Sequence, residues 1–247
     1  MNFTILRFET LESTNTEALN QARRGADEGL SVVARQQTAG RGRHGRVWVS
    51  EKDAGLFFSL VLRPRLDPRF LPLVTLTAAL AVHDALEALY EIDCDIKWVN
   101  DIHVGGRKIC GILAETTDSP KGLAVVVGIG VNLRSSNFPP AIAETATALD
   151  AETGQTINPE NLLQKLTFFL SEYCECLYGA GGPEKIRAAW TRRSSYALGK
   201  SVKVVLENET IHGTTRGIEE NGALRVELAS GEMRIVHTGD VENLRTA

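Results

Sequence analysis

Asp95-Ile96-Lys97-Trp98-Val99-Asn100-Asp101-Ile102-His103-Val104-Gly105-Gly106-Arg107-Lys108-Ile109-Cys110-Gly111-Ile112-Leu113-Ala114-Glu115 alternates apolar and polar residues on both sides of a Gly-Gly pair. Two alternating runs about such a dipeptide predict an antiparallel hairpin. Lys97, Asn100, Asp101 and Lys108 are unusual polar groups among strand residues. A strand lysine between Ile96 and Trp98 is costly to bury without an anionic partner. Two readings stay open: an ion pair such as Lys97 with Asp101, or two lysines reaching an anionic substrate from adjacent strands. Gly111, in mid-strand, leaves room for a ligand or a neighbouring backbone.

The hairpin has strands on both sides in the sequence. After it, 122–133 is strongly apolar but carries Gly128 and Gly130, two apart and so on one face. Such a pair predicts a flat trough for a ring, or simply close packing. This Gly-x-Gly is not a dinucleotide fingerprint, since no third glycine and no helix start follow. No phosphate-binding Gly-x-x-x-x-Gly-Lys-Ser/Thr occurs either. Before the hairpin, Gly55 to Leu62 is apolar on both faces, as a central strand is. Residues 3–8 and 30–36 read as further strands. Ser13-Thr14-Asn15 sits before a helical stretch ending near Gly25, with Glu17 in its first turn. These three polar residues read either as a helix cap or as hydrogen-bonding groups facing a ligand.

Helices are predicted over 71–90, over 159–178 with a leucine-rich face, and from Pro183. His83, within the first, reads as a surface or half-buried helix residue. From Gly199 onward, short alternating runs are separated by turns at Glu207-Asn208, Asn221-Gly222 and Ser230-Gly231, which predicts a small barrel. The expected division is 1–196 and 197–247.

One loop stands apart. Gln37-Thr38-Ala39-Gly40-Arg41-Gly42-Arg43-His44-Gly45-Arg46-Val47-Trp48 interleaves glycine with arginine. Neither helix nor strand suits it, because glycine loses much backbone freedom on ordering. It suits an anion: glycine lets backbone N–H groups approach, and arginine supplies a charged fork. The expectation is a flexible loop that orders on a phosphate-bearing ligand; a solvated loop or an Arg/Gly nucleic-acid loop is the alternative. The 247-residue chain has a formal net charge of −4, which disfavours a general nucleic-acid binder. The positive charge is local, and local charge suits a small polyanion.

Composition is ordinary for a globular chain, 43% hydrophobic and 23% charged. The four cysteines form no Cys-x-x-Cys, and the five histidines are scattered. Free thiols are expected, and no protein-built metal site. There is no signal-like N-terminus and no run read as a membrane span, so a cytoplasmic protein is the expectation.

Taken together, these motifs resemble the biotin protein ligase family, the biotin–[acetyl-CoA-carboxylase] ligases. The resemblance rests on Ser13-Thr14-Asn15, on 37–48, on Lys97-Trp98-Val99-Asn100-Asp101, on 106–115, and on Gly128-Ile129-Gly130-Val131-Asn132, in that order. It implies an α+β fold: a mixed-sheet catalytic domain of the biotin/lipoate ligase type, related to class II aminoacyl-tRNA synthetases, with a C-terminal SH3-like β-barrel. It implies two steps. Biotin's carboxylate attacks the α-phosphate of Mg-ATP to give biotinyl-5′-AMP and pyrophosphate, and a carrier lysine then displaces AMP. ATP with Mg²⁺ and biotin would be substrates, with no permanently bound cofactor.

The resemblance also implies roles. Ser13, Thr14 and Gln37 would hydrogen-bond the ureido ring of biotin, beside Asn15, Gly40, Gly42 and Gly111. Arg41 and Lys108 would hold the biotin carboxylate and the α-phosphate. Arg43 and Arg46 would contact ATP phosphates, and Trp48 would cover the adenine or the acyl chain. Lys97, Asn100 and Asp101 would line the adenylate region, with Asn132 reaching the adenine. Gly128 and Gly130 would form the floor. Lys108, Arg41, Arg43 and Lys97 are the expected catalytic set. His44 and Val99 depart from the usual pattern of further arginine and proline. Only twelve residues precede Ser13, too few for the winged helix of repressor-type relatives, so a ligase that does not bind DNA is expected. The implied partner is a biotin carboxyl carrier domain of acetyl-CoA carboxylase or another biotin-dependent enzyme, with no membrane contact and a homodimer possible.

Overall fold

The predicted strands assemble into one seven-stranded sheet in the computed structural model, which describes residues 1–243. They are β1 (Thr4–Leu11), β2 (Leu30–Gln37), β3 (Gly55–Leu62), β4 (Cys94–Lys97), β5 (Asp101–Val104), β6 (Arg107–Thr117) and β7 (Ala124–Asn132). Their order is β1-β2-β3-β7-β6-β5-β4. Only β1 with β2 is parallel, so the sheet is mixed as expected. One reading changes: 95–104 is not a single run but two short strands, β4 and β5, paired with each other.

Strand alternation gives the sheet two different faces. Leu56, Phe58 and Leu60 of β3, with Val127, Ile129 and Val131 of β7, belong to the main core. That core is completed by α2 (Leu73–Tyr90), α4 (Pro159–Tyr178) and α5 (Gly182–Arg193). On the other face the one helix among the described residues is α1 (Thr14–Arg23), packed at one end. Its Ala18, Leu19 and Ala22 pack on Val32, Val61, Ala124 and Val126. Ser13 is the N-cap of α1 and accepts from the Thr16 N–H. A short α3 (Leu149–Thr153) lies in the segment read as a loop.

Helix α2 corrects two expectations. By length and composition alone it is apolar enough to cross a membrane, yet 72% of it is buried inside the protein. His83 is buried rather than half-buried or on the surface, 2.8 Å from Asp84. Asp84 gathers three helices: it accepts from Tyr173 of α4 and from Arg193 of α5. Burial opposes the charge on Asp84, but the bonds from His83, Tyr173 and Arg193 prevail and hold its pKa at about 2. A carboxylate whose pKa is depressed on folding stabilises above its unfolded value and loses that contribution as pH falls through the folded value. The stability advantage of the native chain over Asp84→Asn should therefore shrink by about 2 kcal/mol between roughly pH 5 and pH 2. Urea unfolding at the two pH values checks this, and an unchanged difference refutes it.

The C-terminal strands are β8 (Leu198–Val205), β9 (Thr210–Ile218), β10 (Leu224–Leu228), β11 (Met233–Val236) and β12 (Asp240–Asn243), all antiparallel in the order β11-β10-β9-β8-β12. The turns fall where the sequence placed them. Among the described residues β11 and β12 do not pair, so this SH3-like unit is an unclosed barrel. It is docked firmly: the Trp98 indole N–H, next to β4, donates to the Gly222 carbonyl at 2.9 Å.

Candidate active site

The uncovered face of the large sheet can be read row by row from its register. Phe57 pairs with Gly130, Gly130 with Gly111, Gly111 with Asp101, and Asp101 with Lys97. The next row runs Ser59, Gly128, Leu113. A strip without side chains thus lies between an aromatic ring and a charged edge.

Lys108 reaches this face because of a β-bulge. Simple alternation from Gly111 would put Ile109 on the open face and Lys108 in the core. Instead, the β5–β6 register shifts: Ile102 pairs with Cys110 but His103 pairs with Lys108. The extra residue, Ile109, is fully buried. Bulges re-aim side chains in this way. The Lys108 ammonium lies 2.7 Å from Asp101 Oδ1, an ion-pair distance although off the line of a good hydrogen bond. Lys97 is the backbone neighbour of Asp101, but the carboxylate pairs with Lys108. Burial lowers the pKa of Lys97, opposed by the nearby Asp101.

The trough is built differently from the expectation. A side chain on Gly130 would meet Trp48 Cε2 at 2.5 Å, and one on Gly111 would meet Trp48 Cζ3 at 2.8 Å. The indole therefore lies across Gly111 and Gly130, a cross-strand pair. Gly128 makes room for something else, since a carbon there would lie 2.2 Å from Asn15 Oδ1.

The three polar residues at the start of α1 exceed a capping role. Thr14 N–H and hydroxyl both reach Gln37 Oε1, at 2.8 and 3.1 Å. Gln37 Nε2 donates to Ser50 Oγ at 2.7 Å. Ser59, wholly buried, lies 2.8 Å from Thr14 Oγ1 and 2.7 Å from Asn15 Oδ1. Asn15 Nδ2 donates to the Leu113 carbonyl and to Glu115. Asn15 is thus fully engaged as a strut, while Ser13 and Thr14 are buried at the end of a helix whose dipole is positive there.

The arginine loop makes contacts along its length. Trp48 N–H donates to the Gly40 carbonyl, and Gly42 N–H to the Arg46 carbonyl. A Cβ on Gly40 would sit 2.3 Å from the Trp48 carbonyl oxygen, so this closure needs glycine. His44 at the tip takes φ 54°, the left-handed region. Arg41 pairs with Glu115. Arg43 donates to Asn100 at 3.1 Å and to Thr238 at 2.9 Å. Arg46 pairs with Asp240. Burial lowers the pKa of Arg43, against the pull of Asp240 and Asp101.

Two cavities adjoin under the loop. The smaller, about 50 Å³, is lined by Ser13, Thr14, Asn15, Gln37, Arg41, Leu113 and Gly128 among others. The larger, about 390 Å³, is lined by Arg46, Lys97, Asp101, Asn132, Phe138, Ile142 and Asp240 among others. Gly42, Arg43, Trp48, Phe57, Asn100 and Lys108 wall both. Of the residues singled out from sequence, only Gly40 lines neither, and it acts through the loop closure. Asn100 and Asn132 also pin backbone, donating to the carbonyls of Ile112 and Thr147. Sequence reading missed Ser50, Ser59, Glu115, His103, Thr238 and Asp240. Ser59 had a signal, a lone hydroxyl in an apolar strand. His103 had a weaker one: it follows Asp101 by two and shares its face. Its Nδ1 is 3.1 Å from the Gly106 carbonyl, and its Nε2 is buried without a partner. Thr238 and Asp240 had none.

Residues 7–132 match the biotin/lipoate A/B protein ligase family, and 197–242 match the biotin protein ligase C-terminal domain. The chain is 38% identical over 224 residues to the biotin–[acetyl-CoA-carboxylase] ligase of Paracoccus denitrificans, covering 86% of this chain and 90% of that one. It is 36% identical over 240 residues to the bifunctional ligase/repressor BirA of Bacillus spizizenii, covering 95% and 72% respectively. Its fold is similar to that of the Aquifex aeolicus biotin protein ligase in complex with biotin and ATP, with a TM-score of 0.84 at 29% identity over 98% of this chain and 99% of that one. With half of its length matched by one family, a second match over its C-terminal sheet, and relatives this similar along nearly all of it, the chain belongs to the biotin protein ligase family.

Proposed function

We propose that this protein attaches biotin to a lysine of a biotin carboxyl carrier domain, through an enzyme-held biotinyl-5′-AMP. The observation that carries this reading is the pair of adjoining cavities that meet at Arg43, Trp48, Asn100 and Lys108. One is narrow, uncharged at its inner end and rich in hydrogen-bonding groups, which suits a ureido ring. The other is wide, cationic on one side and apolar on the other at Phe138 and Ile142, which suits Mg-ATP.

Two anions must meet at the junction. Lys108 and Arg41 offset the repulsion between biotin's carboxylate and the α-phosphate, most usefully as charge shifts to the bridging oxygen in the transition state. A carboxylate oxygen bonds to the α-phosphorus, the bond to pyrophosphate breaks, and Arg43 and Arg46 stabilise the departing phosphates. The mixed anhydride hydrolyses readily, so the closed loop serves to exclude water until the carrier amine displaces AMP. Trp48 lies on the trough that the acyl chain needs, and a cavity of about 50 Å³ holds no more than a few waters. Biotin must therefore lift the indole. Adding biotin should change the tryptophan emission of the native chain, and Trp48→Phe should abolish the change while keeping Trp98 and Trp190 emission; no change in the native chain, or one that persists in the variant, would show that Trp48 stays put.

The deciding experiment supplies ATP, labelled biotin and a biotin carrier domain, and in parallel labelled lipoate with a lipoyl domain. Label on the carrier alone supports the reading. Label on the lipoyl domain alone overturns it.

A further inference from the structure

The C-terminal sheet enters the site through one short stretch at the start of β12. Thr238 Oγ1 accepts from Arg43, and the Asp240 carboxylate pairs with Arg46. These contacts join residues 195 and 194 positions apart. Asp240 also lines the larger cavity, where Asp101 is the other carboxylate among lining residues that include Arg43, Arg46, Lys97, Lys108 and Arg134. Cations gathered this closely repel, and a carboxylate on the far wall relieves that repulsion. Its influence extends past Arg46, since it favours the charged forms of Arg43 and Lys97 against the burial that disfavours them.

A carboxylate in a chamber that admits a triphosphate is otherwise a liability. It competes with the phosphate oxygens for the same guanidinium forks, and it repels them. Asp240 is half-exposed and the Arg46 side chain 58% exposed, so the pair is accessible to a competing anion. We propose that Asp240 is a positioning residue, a stand-in anion that holds Arg46 at the rim of the chamber and yields it to the triphosphate. Thr238 steadies Arg43 in the same way without charge. The C-terminal sheet thereby sets where the loop rests and how readily it exchanges to ATP. This rests on the reading that the larger cavity takes ATP.

The test is biotin-dependent ATP–pyrophosphate exchange in the native chain, Asp240→Asn, Asp240→Glu and Thr238→Val. Asp240→Asn should lower the KM for ATP by about two- to fivefold, the range that one exposed ion pair supports, with kcat little changed. Release of pre-formed adenylate should quicken by a similar factor, because the loop has lost a tether. Asp240→Glu should restore native values. Thr238→Val should quicken release without lowering KM, since the hydroxyl carries no charge. A residue that merely braced the fold would raise KM and lower the melting temperature. A KM for ATP in Asp240→Asn at or above the native value, with unchanged circular dichroism, overturns the proposal. No exchange in the native chain would overturn the functional reading itself, and this inference with it.

Discussion

Lys108→Ala is expected to lower biotin-dependent ATP–pyrophosphate exchange by about two to three orders of magnitude, the usual cost of removing one preorganised charge from a developing transition state. The geometry gives the reason. Lys108 is at the junction of both cavities, and the Ile109 bulge is what turns it onto the open face. Its ammonium rests against Asp101 at 2.7 Å, so it is held in place before any substrate arrives. Arg43, the other cation walling both cavities, is tied to Asn100 and Thr238 and does not take over. Lys97 shares the larger cavity but not the smaller, and Arg41 is drawn toward Glu115. Lys108→Arg should recover only part of the rate, because a broad planar fork cannot occupy the position of a compact ammonium. Stability should change little, since Asp101 keeps Lys97 beside it. Exchange within about tenfold of the native rate in a folded Lys108→Ala protein would remove the lysine from the chemistry.

How much of this was legible beforehand follows from the range over which each cause acts. Strand alternation is local, so the sequence delimits β3 and marks β7 and the Gly105-Gly106 turn. The motifs around 13–15, 37–48, 97–101 and 128–132 point to one site only through the family resemblance that links them, and residues of each line the adjoining cavities. The bulge at Ile109 was not legible: the sequence there alternates cleanly, and only pairing with β5 shows the skipped residue. For the same reason, of the two open readings of the lysines, an ion pair of Lys97 with Asp101 gives way to one of Lys108 with Asp101, while both lysines line the larger cavity. The trough was expected along β7, at Gly128 and Gly130, but the glycines that share one ring are Gly111 and Gly130 on neighbouring strands. Asp240 lies furthest from any local signal. Nothing near it in the chain announces a partner 194 residues away.

Gly128→Ala and Gly130→Ala look equivalent in sequence, and the structure separates them sharply. A methyl on Gly128 would lie 2.2 Å from Asn15 Oδ1. That oxygen cannot retreat without cost, because Asn15 is held by Ser59, the Leu113 carbonyl and Glu115 in a buried network that also positions Thr14 and Gln37. Overpacking and broken buried hydrogen bonds act together, so a loss of about 2–4 kcal/mol in stability is expected. Biotin affinity should fall by about tenfold or more, since a buried polar group left unsatisfied costs about 1–3 kcal/mol. A methyl on Gly130 first meets the Trp48 indole, at 2.5 Å, on the loop that the proposed function requires to move. The ring can tilt away, so stability should stay within about 1 kcal/mol of native. The damage instead appears on binding, where the methyl occupies the floor beneath the acyl chain. Urea unfolding and calorimetric biotin titration of the two variants measure both quantities. Equal stability losses would mean that Asn15 is not the fixed strut described, and unimpaired biotin binding in Gly130→Ala would mean that the acyl chain does not run over the Gly111–Gly130 strip.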